Sequence, residues 1–410
     1  MATEPMTANA AAAAVSSGRG LSRDAGFWLV GSILVLMLFS SSVPSPMYVI
    51  YQQRWHMSAT MLTVVFAIYA IGILASLLVF GSLSDQIGRR PVLLASLALV
   101  IVSMVVFAAA QGVAWLLIAR AIQGLGVGLA TGAMSAALVE LAPPSAPGRG
   151  TLVNGVGPTL GMALGALIAG LLVQYAPAPT VLSYVLLAVA FALTAVGVQL
   201  MPETAKHTGQ LRIRPRRISV PAAGRRAFAL LSLGLVAVWA VGGFYLSLGP
   251  SLAVDVLHST NHLIGGLTVA VLAGVASIGQ VVLGKSAPAR AALIGLLFLL
   301  AGLALLLITL GTSSSVVFFV GTAILGAGWG ITFLGVFRSL AMRADPARRG
   351  ELMAAVYVVA YLAMSVPVVV AGLITSHLGL HRTATIFIIA VAVVCAVALA
   401  GLNWAKTRKS

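Results

Sequence analysis

Three features of the sequence predict an all-α membrane protein of twelve transmembrane helices in two pseudo-symmetric six-helix bundles. Twelve runs of about twenty apolar residues recur along the chain, each long enough to cross a bilayer as a helix. Lysine and arginine fall almost entirely between alternate runs. The second half of the chain also repeats landmarks of the first at offsets of 200 and 202 residues. A soluble alternative fails on composition. The 410 residues are 60% hydrophobic and 8% charged, whereas soluble domains carry roughly 25% charged residues.

The runs lie near 27–50, 60–80, 91–110, 114–139, 152–173, 179–200, 228–252, 263–283, 291–311, 316–338, 352–375 and 383–404. Span one offers Ser40, Ser41, Ser42, Tyr48, Tyr51 and Gln52, and is loosened by Pro44 and Pro46. Spans two and three flank the charged stretch 81–90. Span four carries Arg120 and a stripe of Gly124, Gly128 and Gly132, and span five carries Gly157, Pro158, Gly161 and Gly165. Such stripes let helix backbones meet in lipid, where no hydrophobic effect drives association. Pro158 removes a backbone hydrogen bond and is expected to bend span five there. Span seven contains Gly249 and Pro250, span eleven Tyr357 and Tyr361 on one face, and span twelve Cys395. That lone cysteine excludes a disulfide framework and reads as an inert buried thiol.

With the loop at 81–90 inside, an even number of spans puts both termini inside, and 21 of the 24 Lys and Arg residues then lie on the cytoplasmic side. The net charge of +16 thus holds orientation and meets anionic lipid headgroups, so no nucleic-acid partner is needed. Residues 1–24 read as a disordered cytoplasmic tail, 25–200 as the first bundle and 201–226 as a basic cytoplasmic linker. Residues 227–404 form the second bundle and 405–410 a cytoplasmic tail. The bundles are copies of each other. Ala121–Gly128 (AIQGLGVG) matches Ala323–Gly330 (AILGAGWG), Arg149-Gly150 matches Arg349-Gly350, and Pro44-Ser45 has a looser counterpart in Pro250-Ser251.

The stretch GSLSDQIGRR at 81–90 combines a tight turn with charge: Gly81, Asp85, Gly88, Arg89 and Arg90. It closely resembles the G-x-L-x-D-x-x-G-R-[RK] loop between the second and third helices of major facilitator superfamily transporters. Arg120, Gln123 and Gly124 fit that superfamily's fourth-helix R-x-x-Q-G pattern. Asn154, Gly155, Gly157, Pro158 and Gly161 resemble its fifth-helix G-P-x-x-G pattern, associated with drug antiporters, with Met162 where a second glycine usually follows. The resemblance implies a secondary transporter of the bacterial cytoplasmic (inner) membrane, working by alternating access. It implies a small-molecule substrate, no cofactor and a monomer. Closest in motif content are bacterial drug/proton antiporter-like members. The expected function is export of small amphipathic compounds in exchange for protons, the alternative being proton-coupled uptake of a sugar or small organic acid.

Arg120 stands some seven residues into its span, about 10 Å below the surface at 1.5 Å per residue. A guanidinium there needs a wet cavity or partners. Two roles are open: substrate binding or proton coupling, and locking two helices through their carbonyls. None of the eight acids lies mid-span, so the cavity is neutral to positive and favours neutral, amphipathic or anionic substrates. Arg120, Gln123, Asn154, Trp239, Tyr245, Trp329, Phe333, Tyr357 and Tyr361 are the candidate cavity or coupling residues. Glu140 ends span four beside the 81–90 loop. It therefore joins Gly81, Asp85, Gly88, Arg89 and Arg90 as a candidate inner gate, with Asp85 pairing Arg89 or Arg90 or capping helix eleven near Arg349 and Gly350. The histidines scatter over loops in no metal-ligand spacing, and no catalytic motif appears, so neither a metal site nor an enzyme is expected.

Overall fold

The computed structural model describes residues 20–146, 148–205, 215, 217–220, 224–259, 261–343 and 348–407. Most of the expected tail and linker therefore lie outside the described residues, as does the side chain of Arg349. The chain forms twelve long helices: α1 (Arg23–Trp55), α2 (Ala59–Phe80), α3 (Arg89–Ala108), α4 (Val113–Leu141), α5 (Gly148–Tyr175) and α6 (Pro179–Leu200). The second six are α7 (Arg225–Ser247, continued by Gly249–Val256), α8 (Leu263–Val282), α9 (Pro288–Thr312), α10 (Ser315–Met342), α11 (Arg349–Leu378) and α12 (Leu380–Thr407). All twelve are long and apolar enough to span a membrane, and no strand occurs among the described residues.

Local chemistry marks where the helices begin. The Ser22 and Ser58 hydroxyls accept from the backbone N–H groups of Ala25 and Met61, both at 3.2 Å, capping α1 and α2. Pro179 and Pro288 open α6 and α9, where a missing N–H costs nothing. Prolines act differently inside the spans. α5 runs through Pro158 as one helix, and α11 does the same through Pro367. Interruptions fall instead in α1, at Val43 before Pro44, and in α7, at Leu248 before Pro250.

The glycine stripes explain the packing, in both copies alike. A β-carbon on Gly124 would lie 2.3 Å from the Tyr69 carbonyl oxygen, and one on Gly128 2.7 Å from that of Ile73, so α4 rests directly on α2. Their counterparts Gly326 and Gly330 press α10 onto α8, where a β-carbon would meet the Leu272 and Ala276 carbonyls at 2.4 and 2.3 Å. Gly161 and Gly165 likewise lay α5 on α1, each 2.3 Å from a carbonyl of Val35 or Phe39 by the same measure. Only a hydrogen side chain permits such contacts.

Two further contacts join the halves. Gly170 of α5 meets Gly266 of α8, and Gly372 of α11 meets Thr63 and the Ala59 carbonyl of α2. Both lie toward the face opposite the termini, called here the distal face. The face nearer the termini is the terminal face.

Candidate functional site

The break in α1 creates a site. Pro44 has no N–H to donate to the Ser40 carbonyl, so that oxygen is left without its helical partner. The Gln123 amide from α4 donates to it at 3.0 Å. One residue on, Arg120 Nη1 donates to the Ser41 carbonyl at 3.0 Å and to Gln123 Oε1 at 2.8 Å. The Tyr48 hydroxyl, beyond the break, accepts from Arg120 Nε and Nη2 at 3.1 and 2.6 Å. Arg120 and Gln123 thus splint the two parts of α1 to α4.

The guanidinium is wholly buried. Among the described residues no carboxylate pairs with it. Instead the rings of Tyr69, Tyr48 and Phe107 surround it at 5.1, 5.7 and 5.8 Å from their centroids, supplying cation–π attraction in place of a counter-ion. The Tyr69 hydroxyl in turn meets Ser41 Oγ at 2.5 Å. This arrangement matches the second of the two roles left open by the sequence, helix locking. It also leaves a positive charge in the interior that neutral dipoles satisfy without cancelling.

The remaining candidates separate into three groups. Tyr245 is buried within the second bundle, its hydroxyl 3.1 Å from that of Thr322. Asn154 meets Ser135 of α4 at 3.1 Å, and Trp329 donates its indole N–H to the Val238 carbonyl at 2.7 Å. Trp239, Phe333, Tyr357 and Tyr361 form one aromatic cluster from α7, α10 and α11. Trp239 lies 5.1 Å from Tyr361 and 6.1 Å from Phe333, and Tyr357 lies 6.4 Å from Tyr361. Trp239 Nε1 is buried without a hydrogen-bond partner. The cluster's helix α11 reaches the first half where Gly372 packs on Thr63 of α2, the helix that carries Tyr69.

Broken α1 and broken α7 also hold each other. Pro250 orphans the Leu246 carbonyl just as Pro44 orphans that of Ser40, and the hydroxyl of Ser45, from the other half, donates to Leu246 at 2.7 Å. In return the Ser251 hydroxyl donates to Gln52 Oε1 at 3.0 Å. Thr60 adds a bond to the Gly372 carbonyl at 3.0 Å, and the His262 N–H one to Gln174 Oε1 at 2.8 Å. These bonds close the distal face.

On the terminal face the charged loop folds onto its own half. Arg89 donates to Asp85 at 2.5 Å, to Glu140 at 2.8 Å and to Ser84 at 2.7 Å. The Arg90 guanidinium turns away to the Gln199 carbonyl. Asp85 thus pairs with Arg89 and not with Arg90. The Arg89–Glu140 pair, expected to clamp the inward face, links α3 and α4 inside the first bundle. Gly88, at a φ of +105°, makes the turn into α3, and Gly81 ends α2.

Sequence reading missed Glu203. Its carboxylate accepts the Arg89 and Arg90 N–H groups at 2.8 and 3.0 Å, capping the start of α3 from beyond α6. Burial pushes its pKa up. The N–H groups of Ala205, Arg89, Arg90 and Thr204 outweigh this and hold it below the usual value. The Thr204 hydroxyl reaches Glu140 in the same cluster. A readable signal existed in the Pro-Glu-Thr that directly follows span six, an acid in a chain with only eight.

Two six-helix copies joined at discontinuous first and seventh helices, with a wholly buried cation in the first, define a polytopic membrane transporter. The chain belongs to the Major Facilitator Superfamily, whose family profile matches residues 30–368. A solved bacterial homologue of the human lysosomal transporter Spinster, in an inward-facing and unoccupied conformation, superposes with a TM-score of 0.71. The match covers 93% of this chain and 97% of that one at 14% identity, a likeness of fold. Local matches include an uncharacterized transporter of Schizosaccharomyces pombe (28% over 148 residues, 36% of this chain and 30% of that protein). Major facilitator superfamily domain-containing protein 10 of Bos taurus matches at 40% over 108 residues, 25% and 24% of the two chains. The arabinose-proton symporter of Bacillus subtilis matches at 41% over 68 residues, 17% and 15%. Each match spans less than a third of the relative.

Proposed function

We propose that this transporter exports small amphipathic compounds from the cytoplasm in exchange for protons, alternating between states open at the terminal and distal faces. The termini lie in the cytoplasm, on the strength of the Lys and Arg bias. The lipid is a bacterial inner membrane, and the working unit is a monomer. Substrate moves between the bundles past the aromatic cluster, while the terminal-face cluster of Asp85, Arg89, Glu140 and Glu203 stiffens the first bundle as it rocks.

The observation that carries this reading is Arg120. Its guanidinium bonds both sides of the α1 break, so any change in its bonding alters the helix that also holds the distal contact at Ser45. A buried cation without a counter-ion responds to any anionic or titrating group brought near it. The competing reading is proton-coupled uptake of a sugar or small organic acid. It draws on the local likeness to the arabinose-proton symporter.

Flux in vesicles decides between them. Inside-out vesicles carrying the protein should accumulate the compound when the lumen is acidified, and collapsing the gradient should stop accumulation. Accumulation only in right-side-out vesicles would establish uptake.

A further inference from the structure

The aromatic cluster and the buried cation stand on opposite sides of the division between the halves, and each lacks something. On the second half, Trp239 presents an indole N–H that is buried and unpartnered. Such a donor at membrane depth is costly unless something accepts from it. Around it stand the flat faces of Phe333, Tyr361 and Tyr357. On the first half, Arg120 keeps its charge unpaired behind Tyr69, and Tyr69 lies on α2, which packs at Thr63 against Gly372 of α11, the helix that carries Tyr361. Four of the five guanidinium N–H groups have acceptors, two from Tyr48 and one each from Ser41 and Gln123.

The described acids lie elsewhere. Asp85, Glu140 and Glu203 gather at the terminal face, and Asp255 lies in the distal continuation of α7. An aromatic cage can hold a cation, but no described acid lies within this cluster: Asp24 and Glu351 stand in the first turns of α1 and α11, while Arg120 is buried at the depth of Tyr69. The field therefore selects against one.

We propose that the site takes a planar aromatic carboxylate. The ring stacks among Trp239, Phe333 and Tyr361, one carboxylate oxygen accepts the Trp239 N–H, and the anion faces the positive field that Arg120 sends past Tyr69. This rests on the transporter reading above and narrows its substrate class. Arg120 acts here through its field, four of its five N–H groups being held by α1 and Gln123, whereas Trp239 touches the ligand.

Equilibrium binding to the purified full-length protein tests it, with four probes of similar size: benzoate, benzamide, cyclohexanecarboxylate and benzylammonium. Benzoate should bind saturably. Benzamide, lacking the charge, and cyclohexanecarboxylate, lacking the flat ring, should each bind about tenfold more weakly, and benzylammonium not measurably. Trp239→Phe keeps the ring and removes the donor. At an unchanged melting temperature it should weaken benzoate and cyclohexanecarboxylate alike, by about fivefold, since both carry the accepting carboxylate. The proposal falls if benzoate does not bind, if benzylammonium or cyclohexanecarboxylate matches it, or if folded Trp239→Phe binds benzoate as tightly as before. Binding without a gradient is blind to direction. Benzoate selectivity together with failed outward flux would overturn export while leaving the site standing.

Discussion

Position 120 on α4 is an arginine, and its repeat counterpart, position 322 on α10, is a threonine. Both are fully buried, and each bonds the hydroxyl of a tyrosine from its half's broken helix: Tyr48 for Arg120, Tyr245 for Thr322. The fold therefore needs a polar link at this place and does not need a charge. The contrast extends outward. The first half holds the terminal-face ion pairs and the buried guanidinium, while the second holds the aromatic cluster and a smaller polar inventory. What the halves share is backbone contact, through Gly124 and Gly128 in one and Gly326 and Gly330 in the other. Packing is common to both copies, whereas the buried guanidinium and the close Arg89 ion pairs belong to the first, the second showing a longer Arg348–Glu351 contact at 3.9 Å.

The sharpest break in that comparison comes from Arg120. Arg120→Ala strands the Ser41 carbonyl and the Tyr48 hydroxyl and removes the interior charge, so export should be abolished in a protein still present in the membrane. Thr322→Ala at the equivalent place loses one neutral hydrogen bond, about 1 kcal/mol, and should retain most of its transport. Arg120→Lys separates charge from fork geometry. A lysine keeps the charge but not the planar fork whose Nε and Nη2 both reach Tyr48, so partial export by it would assign the function to charge alone. Native export by Arg120→Ala at normal membrane abundance would remove the residue from the mechanism.

The shared part of the comparison is tested by adding one carbon to each copy. Gly124→Ala and Gly330→Ala each place a β-carbon 2.3 Å from a carbonyl of the facing helix. Each should force the helices apart and cost about 1–3 kcal/mol by the overpacking rule. Similar falls in the melting temperature of the detergent-solubilised protein are expected. A large loss in one half and none in the other would show that the repeat is one of sequence and not of packing.

The charge asymmetry of the terminal face has a pH signature. Glu203 is held below the usual carboxylate value, so the folded state favours its ionised form. That contribution is complete above the unfolded carboxylate's pKa and is lost as pH falls through the lowered folded value. Stability should therefore decline on acidification, and Glu203→Gln should flatten the decline. The half-exposed setting makes the effect modest. Thermal unfolding of the two proteins over an acid series measures it, and parallel curves would exclude Glu203.

Much of this was legible in the residues. Apolar run lengths located all twelve helices, because a lipid-embedded backbone must satisfy its own hydrogen bonds. The 202-residue offset marked Ala323–Gly330 as the repeat of Ala121–Gly128, but that Gly326 and Gly330 rest on α8 as Gly124 and Gly128 rest on α2 is visible only in the contacts. Spacing along one helix could not reveal which partner Arg120 faces, since Ser41 and Tyr48 come from a different helix and are brought to it by the α1 break. Pro158 leaves α5 one continuous helix, while Pro44 and Pro250 stand at the interruptions of α1 and α7. Glu203 was passed over because an acid at a span's end reads as solvated until two N–H groups are found pointing at it.

The smallest expected effect concerns the distal contact, where the halves are most alike. Ser45 and Ser251 each follow a proline and each donate across to the other half, but to different acceptors. Ser45 meets the carbonyl that Pro250 frees in α7, whereas Ser251 meets a side-chain amide that can find another donor. Ser45→Ala should therefore leave a buried carbonyl unpaired in the distally closed state only, since opening lets water reach it. The cost is about 1 kcal/mol, a roughly fivefold shift toward the distally open state. Ser251→Ala should shift the balance less, because Gln52 can turn. Spin labels on exposed distal positions of α2 and α11 would report the two populations as a distance distribution. A larger shift from Ser251→Ala than from Ser45→Ala would mean that the orphaned carbonyl is not what holds the distal face closed.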